Sequence, residues 1–104
     1  MGIYYFDKAL FLSYTGVDHS SVLGSKFRLI ARKNLQSMQQ QLINDPNCDY
    51  GEFSHKLVGI ASSCGLKNAA RVCSKLEIYH TILKDKKNIY IFNSIIFNLI
   101  KILY

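Results

Sequence analysis

Residues Ser54 to Glu77 read SHKLVGIASSCGLKNAARVCSKLE, and the spacing within this stretch decides the fold. If residues 50–64 are helical, Phe53, Leu57, Ile60 and Cys64 fall at i, i+4, i+7 and i+11 and form one apolar stripe. His55 then points about 160° away from Leu57, out of that stripe. Gly59, one turn later, shares the histidine's side, as does Ser62. A glycine inside a helix costs about 1 kcal/mol relative to alanine, so its position asks for a reason. One reason is room for a second protein to approach the imidazole. A solvated histidine beside a tolerated glycine is the ordinary alternative.

Working outward, Gly65 is predicted to stop this helix as its C′ residue. A further helix follows with Ala69, Val72, Cys73, Leu76, Tyr79 and Leu83 facing inward. Upstream, Asp49 is the expected N-cap, and Glu52 three residues on completes a capping box. Asn44-Asp45-Pro46-Asn47 marks the end of a long helix carrying Leu23, Phe27, Ile30, Leu35, Met38 and Leu42, with Asp18 or Ser20 as its cap. A short helix over about residues 7–14 precedes it and stops at Thr15-Gly16. Downstream, Lys84 to Lys87 reads as a solvated loop, and Asn88 opens a last helix over about residues 88–103. The expected fold is all-α: an antiparallel four-helix bundle with a short additional N-terminal helix, in one domain over residues 1–104.

Composition agrees with long helices, since 49% of residues are hydrophobic and there is a single proline, Pro46. Cys48, Cys64 and Cys73 form no paired framework, which suits a reducing cytoplasm, and their spacing offers no metal site. The start shows no basic segment followed by an apolar one, so no signal peptide is expected. Residues 89–104 are strongly apolar, yet Asn93, Ser94, Asn98 and Lys101 interrupt them. The segment falls short of the roughly 20 apolar residues of a membrane span and reads as a bundle helix. A membrane-surface helix is the lesser alternative.

Thirteen basic residues against seven acidic ones give a net charge of +6 and direct attention to anionic partners. Lys26, Arg28, Arg32 and Lys33 spread around most of one helix, so no nucleic-acid face emerges. An acidic protein partner fits the charge equally well. No Gly-rich phosphate loop or P-loop lysine is present, so the chain carries no visible nucleotide site.

The elements His55, Leu57, Gly59, the run Ala61-Ser62-Ser63, Gly65 and the closing Cys73 to Glu77 resemble the histidine-containing phosphotransfer (HPt) domain of multistep phosphorelays. The resemblance extends over about residues 4–84 and is distinctive from His55 to Glu77. It implies that His55 accepts a phosphoryl group through Nε2 from a receiver-domain aspartate and passes it to another. The chain would act without cofactor or independent catalytic activity, the receiver bringing Mg²⁺ and the acyl phosphate. Partners would be receiver domains of a hybrid histidine kinase and a response regulator, met in the cytoplasm. Docking would be mainly on the His55 helix, with Glu52, Ser62, Lys67 and Arg71 as candidate contacts. Neither nucleic-acid binding nor membrane association is implied.

Family members usually carry a lysine three residues after the histidine; here that position is Val58. Lys56 is the nearest candidate for stabilising a phosphate, with Lys67 and Arg71 behind it, and each has a solvated surface cation as its ordinary reading. Glu77 is a candidate to orient the ring by accepting from Nδ1–H, an exposed helix glutamate being the alternative. Two further readings stay open: a degenerate adaptor that binds receivers without transfer, and a small basic protein for nucleic acid or a membrane surface. His19 and His80 offer no metal pair with His55, and His80 sits at the edge of an apolar stripe.

Overall fold

The computed structural model describes residues 4–104, so the first three residues of the expected domain lie outside it. The described chain is all-helical, with α1 at Lys8–Thr15, α2 at Val22–Asn44, α3 at Tyr50–Ser63, α4 at Lys67–Tyr79 and α5 at Asp85–Leu103. A 3-10 turn over His80–Ile82 joins α4 to the approach of α5.

Local chemistry explains most boundaries. Asp7 caps α1 by accepting from the Leu10 N–H at 3.0 Å, and Gly16, at φ 76°, ends it. The cap of α2 is Ser21, where the sequence suggested Asp18 or Ser20. Asp18 is occupied elsewhere: it accepts from the Ser20 backbone N–H at 2.8 Å and from its hydroxyl at 2.6 Å. That turn folds tightly onto the first turn of α2, and a Cβ at Gly24 would come within 2.0 Å of the Asp18 carbonyl. Asp49 caps α3 through the Gly51 and Glu52 N–H groups, as expected. The carboxylate of Glu52 reaches forward to Lys56.

Gly65 terminates α3 with φ 73°. The Leu66 N–H donates to Ala61 O at 2.8 Å and the Gly65 N–H to Ser62 O at 3.3 Å, the paired bonds of a Schellman motif. The same glycine receives the start of α1, for Asp7 N–H donates to its carbonyl at 3.0 Å. A Cβ there would meet Asp7 O at 2.5 Å, so both backbone conformation and close approach require glycine.

α3 and α4 pack along their length and run in opposite directions. His55 meets Glu77 near the middle of α3, and the ring of His80 lies over Gly51 at its start. α2 and α5 also pair in opposite directions: Arg28 and Arg32 hold the carbonyls of Leu103 and Tyr104, while Gln39 donates to Asn93. Rings join the pairs, with Phe53 edge-on to Phe92 at 5.1 Å and Tyr50 stacked on it at 5.9 Å. Around them Phe11, Leu35, Leu57, Leu66, Ile96, Leu99 and Leu103 are fully buried. Burying each such side chain contributes about 1.5–3 kcal/mol.

Three further expectations are corrected. Leu23, Phe27 and Ile30 are largely exposed, because α2 turns Ala31, Leu35, Met38 and Leu42 toward the core. Phe27 and Ile30 instead line a groove of about 360 Å³ with Phe11 and Tyr14 of α1 and Ile60 of α3. Tyr79 is also exposed, since α4 ends there and the backbone tightens into the 3-10 turn. Finally, α5 begins at Asp85, not Asn88, with Lys84 as its N-cap residue. Asp85 in the first turn suits the helix dipole. Asn88 is buried one turn in, and its Nδ2 donates to the carbonyls of His80 at 3.0 Å and Leu83 at 3.4 Å.

Candidate functional site

The α3–α4 hairpin sets His55 opposite Glu77. Nδ1 of His55 lies 3.1 Å from Oε1 of Glu77. The imidazole side chain is 74% exposed and the carboxylate side chain 39%. An ionised carboxylate only accepts, so Nδ1 carries the proton of this bond. In a neutral ring the lone pair then resides on Nε2, the nitrogen that Glu77 does not engage. The arrangement presents an oriented nucleophile on an open helix face.

Glu77 is itself anchored. Its backbone carbonyl accepts from Nδ1 of His80 at 3.0 Å, and His80 is half-buried, as its place at the edge of the stripe suggested. The two histidines meet the same residue through different atoms, one at its carboxylate and one at its carbonyl. His19 stands in the turn between α1 and α2, with Nδ1 3.3 Å from Asp18.

Gly59, one turn beyond His55, faces open space: a Cβ there would meet nothing within 4 Å. Packing within this chain therefore does not demand glycine at this position. With Lys56 and Ser63 it lines a groove of about 480 Å³ against Asn34, Ser37 and Gln41 of α2. Those three α2 residues were not singled out in the sequence. Their i, i+3, i+7 spacing on one face is the signal that marks them.

Lys56 is present beside the site, but its ammonium stands 3.9 Å from Glu52. An exposed pair of this length contributes about 0.5 kcal/mol or less, so the lysine can be drawn elsewhere. Val58 is half-buried against the core and brings no charge to the histidine. Ser62 is half-buried, and its carbonyl is engaged in the Gly65 turn. Lys67 and Arg71 are exposed on α4, ten and six residues before Glu77. At 1.5 Å per residue that is about 15 Å and 9 Å along the axis, so the fold does not gather them at His55.

The cysteines are buried and free. Burial pushes the Cys73 thiol up to about 12, and it raises Cys64 and Cys48 as well, so none is an activated nucleophile. Among the described residues no group of three His, Cys, Asp or Glu side chains could hold a metal ion. No helix of the described chain is long and apolar enough to cross a membrane.

No protein-family model, curated protein or solved structure matches this chain.

Proposed function

We propose that this protein is an HPt-type phosphotransfer protein with His55 as its phosphorylated residue. The observation that carries this reading is the 3.1 Å contact between His55 Nδ1 and Glu77 on an exposed helix face. It holds the ring with Nε2 available to an in-line phosphoryl donor. Helices α2 to α5 would be the antiparallel four-helix bundle of such a domain, with α1 as the short additional helix.

In this role the chain presents a nucleophile and has no nucleotide chemistry of its own. A receiver domain in the cytoplasm supplies the acyl phosphate and Mg²⁺, and a second receiver takes the phosphoryl group away. The transferred group leaves its aspartate oxygen as a P–N bond forms at Nε2, and the reverse step regenerates free His55. Receivers dock over α3, with Gly59 giving steric access and the adjoining α2–α3 groove lending polar contacts from Asn34, Ser37 and Gln41. Lys56 leaves Glu52 to meet the phosphate.

One observation favours the adaptor variant of this reading. Val58 occupies the position of the usual lysine and faces the core, so phosphate stabilisation rests on Lys56 alone. Phosphorylated receivers from the same genome, offered to wild type and to His55→Gln, separate the two. Acid-labile, base-stable label on wild type alone supports relay. Receiver binding by both proteins without label supports the adaptor, and neither label nor binding rejects both.

A further inference from the structure

The outer face of α5 has no part in the phosphotransfer reading. The inner face of this helix buries Phe92, Ile95, Ile96, Leu99 and Leu103. On the opposite side Lys86, Lys87, Tyr90, Phe97 and Lys101 are all exposed. At 100° per residue these five fall within a sector of about 100°. Tyr90 is 76% exposed, Phe97 54% and Tyr104 73%, so the rings contribute little to the core. Tyr90 and Phe97, seven residues or close to two turns apart, stand in line about 10 Å from each other, while beyond the end of the helix the Tyr104 ring is covered by the Arg32 guanidinium at 4.2 Å.

Lysines interleave with the rings. Lys101 Nζ sits 4.8 Å from the centroid of Phe97. Lys86 and Lys87 border an open hollow of about 360 Å³ with Tyr90 and Ile91. The single acidic residue of α5, Asp85, lies about 140° around the helix from Tyr90, off this face. The helix is fixed in place, since its far end is clasped by Arg28 and Arg32 and its near end by Asn88.

We propose that this face docks on an anionic lipid surface, with the α5 axis lying parallel to it. Charge complementarity selects an anionic occupant, because three lysines share the face with no acidic side chain of α5. The Tyr90 ring with its hydroxyl belongs at headgroup depth, Phe97 adds apolar contact beside it, and the long lysine stems let the ammonium groups reach lipid phosphates. A second copy of the chain would set these lysines against their own kind. A nucleic acid would leave the rings unused, since a spacing of about 10 Å does not match bases stacked about 3.4 Å apart on a strand. The apolar residues of α5 take no part, because the core already holds them.

The sequence contains no tryptophan, so Phe97→Trp introduces one fluorophore in the centre of the face. On addition of mixed phosphatidylcholine–phosphatidylserine vesicles, its emission is expected to shift to shorter wavelength, with a much smaller response to phosphatidylcholine alone. Adding Lys86→Gln, Lys87→Gln and Lys101→Gln is expected to lower the partition constant about 100-fold, roughly fivefold per lysine. Circular dichroism checks that the variant is folded, and the single Phe97→Trp protein decides the matter if it is not. An unshifted emission, equal partition to neutral vesicles, full affinity without the lysines, or tighter binding to a DNA duplex than to vesicles would each overturn the proposal.

Discussion

Glu77 Oε1 lies 3.1 Å from Nδ1 of His55, and this contact assigns the imidazole proton to the nitrogen that faces α4. The Gly65 turn makes it possible, because it folds α4 back along α3 so that positions 55 and 77 coincide.

Glu77→Ala is expected to slow phosphorylation of His55 by about three- to tenfold, the range of one exposed charge-assisted hydrogen bond. Thermal stability should change little. Heteronuclear NMR of the imidazole nitrogens gives the cause separately: the population protonated at Nδ1 should fall in the variant.

Val58→Lys is expected to prolong the life of the phosphorylated form about two- to fivefold, by adding a cation one turn from His55. Glu52→Gln should act in the same direction by releasing Lys56. Decay of labelled protein measures both. An unchanged lifetime in Glu52→Gln would remove Lys56 from the site.

Asn88 separates two accounts of how α5 starts. An N-cap asparagine would tolerate aspartate. Here the Nδ2 donors are needed by the His80 and Leu83 carbonyls, and the side chain is buried. Asn88→Ala should cost about 1–3 kcal/mol in urea unfolding, and Asn88→Asp more, because it buries a carboxylate against two carbonyls.

Cys73 sets an alkaline limit. Burial raises its thiol from 9.0 to about 12. The folded state therefore holds a proton that the unfolded state has lost once the pH passes the ordinary thiol value. The stabilisation is complete below pH 9.0 and is lost as the pH climbs toward about 12. The urea midpoint should fall over that window, less steeply in Cys73→Ala, since Cys48 and Cys64 are raised too. Alkylation of native protein should leave Cys73 unmodified.

Helix signals with local causes were legible in the sequence. Asp49 and Gly65 act through their own backbone neighbourhoods, and they bracket α3 as read. The facing of Phe53, Leu57 and Cys64 followed from periodicity within one helix. What failed depends on neighbours in space. Leu23, Phe27 and Ile30 have the right spacing for a core stripe, but α5 packs on an adjacent strip of α2. Arg28 and Arg32 looked like dispersed surface charge, yet they satisfy the last carbonyls of α5, some seventy residues away in sequence. The placement of Glu77 beside His55 was one of two open alternatives until the direction of α4 was known.

The most direct test is the atom that carries the phosphoryl group. Wild-type protein would be treated with phosphoramidate or a phosphorylated receiver, and the product examined by mass spectrometry and NMR of the imidazole nitrogens. We expect one phosphoryl group, on Nε2 of His55, with none on His55→Gln. Phosphorylation at Nδ1, at His19 or His80, or no phosphorylation by either donor would contradict the account.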